Sequence, residues 1–227
     1  FLNLPARKLT ADQKQLISLG RGLVREDVAG VLMDEPLTVI DPDLKFRLRR
    51  NLKEINEQYK TTLVYVTHDQ NEAMTFADNI IVMDQGEIVQ VGLPKDLFER
   101  PKTTFVGYFI GSPAMNIFES EVSSEYSVKI NNIEIKTNSN LTKLKDKNVK
   151  LGIRSEFINV VEKEGENTIK ASLTRVEDFG NFKLLTANMD NFVIKSKVDR
   201  ELPISIGDIN LYIPPEKCCV YENEKLI

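Results

Sequence analysis

At 227 residues the chain is long enough for one large or two modest domains. Its hydrophobic fraction of 41% and charged fraction of 28% are those of an ordinary globular protein, and its net charge of −4 carries no block of one sign, which excludes a nucleic-acid footprint. No apolar run approaches the roughly 18 residues of a membrane span. The two cysteines, Cys218 and Cys219, are adjacent, so they cannot staple distant segments and suit a reducing cytosol. The chain opens on Phe1 without a secretory signal, as expected of a cytosolic protein or a piece of a longer one.

In chain order, LTADQKQLISLGRGLVRED opens with a capping box. Thr10 can cap the backbone and Gln13, three positions on, can return the bond, with Leu16, Leu19 and Leu23 giving one apolar face. The run VAGVLM (28–33) has the short, continuous apolar character of a buried parallel strand. A helix follows, with Asp41 as cap, Pro42 at its first position, and Leu44, Leu48, Leu52, Ile55 and Tyr59 on one stripe. TTLVYVT (61–67) is a second strand, after which Asp69 and Glu72 cap another helix. NIIVM and IVQV form a strand pair around a glycine-containing turn. The strand–helix–strand alternation predicts an α/β layer with a parallel sheet.

Residues 92 to about 117 read as a connector, with a short helix starting at Pro94 and ending at Pro101, and glycine and proline near 111–113 closing the segment. Beyond it, short alternating stretches separated by Asn, Asp, Gly and Lys clusters predict a small all-β module, a barrel or a sandwich.

The strand VAGVLM ends in Asp34-Glu35-Pro36, two carboxylates at the carboxyl edge of a parallel sheet, where open α/β sheets bind ligands. One can hold a magnesium ion, directly or through its water. The other can orient or deprotonate a water for attack on a phosphate. The second strand ends 33 residues later in His68, the single histidine, which a neighbouring strand brings to the same edge. There it could bond a γ-phosphate or the attacking water.

The segments LMDEP with Asp41, YVTHDQNEAMTFAD, and VMDQGEIVQVGLPKDLFERP together resemble the nucleotide-binding subunit of ATP-binding-cassette importers, in the sugar, polyol and glycerol-phosphate branch. FVGYFIGSPAMN resembles that branch's exit from the ATPase domain, and LGIRSEFINV (151–160) resembles a motif of its accessory β-domain. The resemblance implies a P-loop NTPase of RecA-like α/β fold over residues 1–98, present without its P-loop. It further implies a connector over 99–117 and an OB/TOBE-like all-β domain over 118–227. It implies Asp34 as the Walker B aspartate contacting Mg²⁺, Glu35 as catalytic base, Asp41 in the D-loop and His68 as the switch histidine. ATP and Mg²⁺ are the implied cofactors. The implied partners are a second ATPase subunit, two permease subunits and, indirectly, a solute-binding protein, at the cytoplasmic face of the membrane.

Two departures from the family pattern stand out. No G-x-x-x-x-G-K-[ST] occurs in these 227 residues, nor the glutamine loop, so the chain is expected to be the C-terminal part of a longer protein, inactive alone. The signature that usually reads Leu-Ser-Gly-Gly-Gln is here Leu9-Thr10-Ala11-Asp12-Gln13. Ala11 and Asp12 replace the glycines that let a backbone approach a phosphate at a helix N-terminus, and Asp12 puts a carboxylate in that anion site. The form resembles one of the two ATPases of bacterial glycerol importers and predicts a heteromeric pair with unequal sites. The alternatives are a non-transport ATPase of the same superfamily and a non-catalytic regulatory β-domain carrying an ATPase remnant. Nucleotide binding by the full-length parent separates the last from an importer ATPase.

Overall fold

A computed structural model describes residues 4–25, 28–144 and 147–227, which divide into two units, Phe1–Ala77 and Asp78–Ile227. The side chain of Tyr59, one position of the stripe named above, lies outside the described residues.

In the first unit α1 (Ala11–Leu23) starts after Thr10, whose N–H donates to Gln13 Oε1 at 3.2 Å. Helix α2 (Pro42–Tyr59) is capped by Asp41, whose Oδ1 accepts from the Leu44 N–H at 3.0 Å, with proline at the first helical position. Leu44, Leu48, Leu52 and Ile55 turn inward, Leu52 fully buried. Strands β1 (Gly30–Asp34) and β2 (Thr62–Val66) pair in parallel, in register from Gly30 opposite Thr62 to Asp34 opposite Val66. Helix α3 (Gln70–Phe76) follows β2 and is capped by Asp69, which accepts from the N–H groups of Asn71 and Glu72.

The expectation of a strand buried on both faces needs correction. Met33 is buried, but Leu32 beside it is 81% exposed, and Val64 and Val66 share that open side. The described elements cover one face of the pair, and side chains alternate along a strand, so every second apolar residue stays in solvent.

The second unit begins with a hairpin, β3 (Ile80–Asp84) and β4 (Glu87–Gly92), joined by Gln85 and Gly86, both at positive φ as a two-residue turn matching strand twist requires. Helix α4 (Pro94–Glu99) runs between the two expected prolines, and α5 (Thr104–Phe109) is an additional helix within the segment read as connector.

The remainder is all-β: β5 (Asn116–Ser124), β6 (Ser127–Ile130), β7 (Ile133–Lys136), β8 (Asn148–Ile153), β9 (Asn159–Val161), β10 (Thr168–Asp178), β11 (Phe182–Met189), β12 (Phe192–Asp199), β13 (Gly207–Tyr212), β14 (Cys219–Glu222) and β15 (Lys225–Leu226). Among the described residues these form two antiparallel sheets, ordered β15-β14-β8-β5-β6-β7 and β12-β11-β10-β13-β9. One core fills the space between them, including Phe118, Val128 and Leu151 from one sheet and Ile169, Leu185 and Leu211 from the other. Together they make the small all-β module that the alternating pattern predicts, in keeping with the OB/TOBE-like domain that the resemblance implies.

Two buried asparagines join the sheets. Asn116 at the start of β5 accepts from the Lys195 N–H at 2.8 Å and donates to the Lys195 carbonyl at 2.9 Å. Asn167, ahead of β10, makes the same pair with Lys136 at 2.8 and 2.9 Å, and donates also to the Ile213 carbonyl. Each side-chain amide acts as one more peptide unit of a strand, satisfying backbone groups that a sheet edge would leave open.

Arg154 is fully buried, and its guanidinium bonds to backbone carbonyls rather than to a carboxylate. Its guanidinium donates to the carbonyls of Phe98 (2.8 Å), Leu97 (3.5 Å), Gly107 (2.8 Å) and Ile110, the carbonyl-rich ends of α4 and α5, and stacks 4.6 Å over the Phe98 ring. Helix C-termini carry partial negative charge and unpaired carbonyls, so the five-donor fork replaces a counter-ion. A β-carbon on Gly111 would stand 2.7 Å from Arg154 Nη1, so that site admits only glycine.

Candidate functional site at the end of the parallel strands

Register brings Asp34 and Val66 level at the carboxyl end of the strand pair, so the residues that follow each strand meet. Glu35 leaves β1 with a left-handed backbone, φ 46°, and its N–H donates to the Val66 carbonyl at 2.9 Å. That bond extends the parallel ladder by one step and turns the Glu35 side chain along the edge toward β2.

There it meets His68. Glu35 Oε1 accepts from the His68 N–H at 2.9 Å and lies 2.6 Å from Nδ1 of the ring. Its other oxygen, Oε2, accepts from the Thr38 hydroxyl at 2.8 Å. Burial pushes the Glu35 carboxyl upward, but the Thr38 hydroxyl and the ring and N–H of His68 pull harder, and the group rests below the usual carboxylate range. The carboxylate is therefore ionised at neutral pH and can accept a proton, and the His68 ring remains 75% exposed, open to solvent on its outer side.

Asp34 lies on the exposed side of β1. Among the described residues no cluster of three or more His, Cys, Asp or Glu side chains could hold a metal ion. A single exposed carboxylate at a strand end fits magnesium, which keeps several waters and takes one or two protein carboxylates beside phosphate oxygens.

Asp41 does not join this cluster, because its carboxylate is occupied at the start of α2. Leu9 to Gln13 form a separate locus at the start of α1. Leu9 is half-buried, Ala11 exposed, and Gln13 bonded back to the Thr10 N–H. The Thr10 hydroxyl donates to the Asp12 carboxylate, and that bond holds Asp12 below the usual carboxylate range. Thr10 thus spends its hydroxyl proton on its own neighbour. The two loci are nonetheless tied, since Gln15 in α1 donates its amide to the Pro36 carbonyl at 2.9 Å.

Sequence reasoning missed Thr38, Gln15 and a buried set around Glu72. The position of Glu72, three after an Asp cap, suggests a capping partner. The side chain turns inward instead, accepting from the hydroxyls of Tyr65 (2.8 Å) and Thr67 (3.1 Å). Burial, and then the bond to Glu72, push the Tyr65 phenol far above its usual range, which keeps it a donor. Hydroxyls on the strand that leads to the site were the available signal for this set, and Thr38 was the same signal one turn beyond the carboxylates. In the second unit, burial pushes the Cys218 thiol up to about 12 and raises Cys219 also, so neither is a ready nucleophile.

A family model described as the MalK OB fold domain matches residues 111–158. The oligosaccharides import ATP-binding protein MsmX of Bacillus subtilis is 37% identical over 92% of this chain and 59% of its own length. The sn-glycerol-3-phosphate import ATP-binding proteins UgpC of Psychromonas ingrahamii and Yersinia enterocolitica are 37% and 34% identical, over 92% and 99% of this chain and 57% and 63% of theirs. A solved structure of the molybdate-binding protein ModG is 12% identical with a TM-score of 0.40, covering 47% of this chain and 94% of that one, a likeness too loose to bear on the argument. The chain is similar in sequence to import ATP-binding proteins for oligosaccharides and sn-glycerol 3-phosphate, and it spans about three fifths of the length of the curated relatives it matches.

Proposed function

We propose that the chain is the C-terminal part of an ATP-hydrolysing subunit that energises import of a small solute, such as a sugar, glycerol or glycerol phosphate. In this reading residues 1–98 complete an ATPase domain, 99–117 connect, and 118–227 form its accessory domain. The observation that carries it is the contact between Glu35 and His68, two groups 33 residues apart that meet where a parallel strand pair ends. Glu35 is the base that takes a proton from the attacking water, and Thr38 and His68 hold its two oxygens. His68 offers the outer side of its ring to the reacting phosphate. Asp34 would hold Mg²⁺, directly or through a water. When bound with the nucleotide, that ion neutralises phosphate charge. The phosphate cradle itself comes from a part of the parent subunit outside these residues.

The test is Mg-dependent hydrolysis by the full-length subunit. Glu35→Gln should lower turnover by about a hundredfold or more while ATP stays bound. Near-normal turnover removes the base assignment. His68→Ala should slow hydrolysis far more than it weakens ATP binding, the pattern of an interaction made chiefly in the transition state. Equal loss of both makes His68 structural.

Leu9 to Gln13 form the segment presented across a subunit interface, with Asp41 in the loop beside it. The engagement of Thr10 with Asp12, and the charge of Asp12, support a heteromeric pair in which the site closed by this segment is the poorer one. Brisk hydrolysis by the full-length protein alone, as a symmetric homodimer, overturns that arrangement. The pair docks on two permease subunits at the cytoplasmic face of the membrane and meets a solute-binding protein only through them. No described helix is long and apolar enough to cross a membrane, which suits a peripheral subunit.

A further inference from the structure

Among the described residues Glu72 is the one buried acidic side chain, 3% exposed. A carboxylate in such a place is costly unless each oxygen is partnered. Oε2 accepts from Tyr65 and Thr67, and Oε1 has as its partner the ammonium of Lys45 at 2.8 Å, an ion-pair contact off the hydrogen-bond angle. Thr67 does two jobs, since its hydroxyl oxygen also accepts from the Asp69 N–H at 3.0 Å. The residues on both sides of His68 are therefore fixed by one hydroxyl that is itself held by Glu72. At the other end, the Lys45 N–H donates to the Asp41 carbonyl at 2.8 Å, placing Lys45 in the first turn of α2.

Capping does not explain this arrangement. Asp69 already caps α3 with its own carboxylate, and a buried ion pair rarely stabilises a fold more than a well-packed apolar pair would. What the pair does provide is fixed geometry. The exposed His68 ring contacts Glu35 on one side, and its placement depends also on the backbone beneath it.

We propose that Glu72, through Thr67 and Lys45, is a positioning residue that locks the loop carrying His68 to the helix begun by Asp41, so that the two move as one unit. The proposal rests on the ATPase reading above and assigns to the site a support that spans β2, α2 and α3.

The experiment compares the full-length subunit with its Glu72→Gln, Lys45→Met and Lys45→Arg variants. Both Glu72→Gln and Lys45→Met should lower kcat about tenfold or more with KM for Mg-ATP within about twofold, since small misplacement of a reacting group costs rate rather than binding. Lys45→Arg, which keeps the charge, should recover most of the turnover. An independent readout is the ring resonance of His68, assigned by its loss in His68→Gln, which should move and broaden in Lys45→Met. Folded variants with unchanged kcat and an unmoved His68 resonance overturn the proposal, even if they unfold at lower temperature. Should either single variant fail to fold, the double variant Glu72→Gln/Lys45→Met, which leaves no unpaired buried charge, decides by the same kcat and His68 resonance. An inactive wild type would remove the ATPase reading, and the His68 resonance would still decide whether Glu72 and Lys45 hold that loop.

Discussion

The two units of this chain are held by different means. In Asp78–Ile227 apolar side chains from both sheets fill one core, and the buried polar groups inside it, Arg154, Asn116 and Asn167, bond to backbone. Among the described residues of Phe1–Ala77 the buried hydrophobic ones are Met33, Leu37, Ile40 and Leu52, α1 contains no buried residue, and one face of the strand pair is open. Around its candidate site, polar contacts run between side chains as well as to backbone: Glu35 to His68 and Thr38, Glu72 to Tyr65, Thr67 and Lys45. An apolar core gives stability in proportion to buried area but does not aim anything. Directed bonds between side chains contribute less each, yet they fix where a base and a ring stand. The unit with the candidate chemistry has the smaller core and the more directed contacts.

The comparison breaks most sharply at Arg154. Arg154→Leu removes the guanidinium from the carbonyls of Leu97, Phe98 and Ile110, while Gly107 keeps the Met115 N–H, and should cost the second unit about 3 kcal/mol. Urea denaturation followed by far-ultraviolet circular dichroism reads this as a lower midpoint, with Arg154→Lys falling between the variant and wild type because an ammonium cannot reproduce the fork. A silent Arg154→Leu would mean that the apolar core alone holds α4 and α5.

Next in size is Asn116→Ala, which removes a donor and an acceptor from Lys195 and should cost about 2 kcal/mol, read in the same denaturation. The first unit should respond in the opposite direction at Gly20. A β-carbon added there meets nothing within 4 Å, so Gly20→Ala in the interior of α1 should stabilise that unit by about 0.5–1 kcal/mol.

The smallest effect is a pH dependence. The folded-state pKa of Glu35 lies below its unfolded value of about 4.3, so the bonds from Thr38 and His68 contribute stability that is present above pH ~4.3 and lost as pH falls through the lower folded value. The Glu35→Gln variant should lack that acid-side loss. Matching midpoints for the two proteins between pH 5 and pH 3 would show that the contact adds nothing to folding.

Much of the first unit was legible in its sequence because caps and turns are local. Thr10 with Gln13, Asp41 before Pro42, and Gln85-Gly86 each need only their own few residues to specify a backbone. The convergence of Glu35 and His68 was legible too, since two strands ending in chemistry 33 residues apart have few ways to pair in parallel. What stayed hidden depends on distant partners. Thr104–Phe109 reads as connector, because a β-branched, glycine-containing segment has little helical propensity of its own, and its last carbonyls are satisfied by Arg154 from far along the chain. LGIRSEF resembles a motif, but nothing in those letters announces that the arginine is buried. Asn116 and Asn167 look like loop punctuation, and only a folded pair of sheets shows them to be strand partners.

Those two asparagines also set a chemical lifetime. Each amide donates through nitrogen and accepts through oxygen against one backbone residue, so hydrolysis to aspartate would exchange a donor for a second acceptor facing the carbonyls of Lys195 or Lys136. The change in mass is a single unit, yet it would turn attraction into repulsion at the seam between the sheets and bury a negative charge there. Deamidation at either of these positions would therefore register as separation of the two sheets.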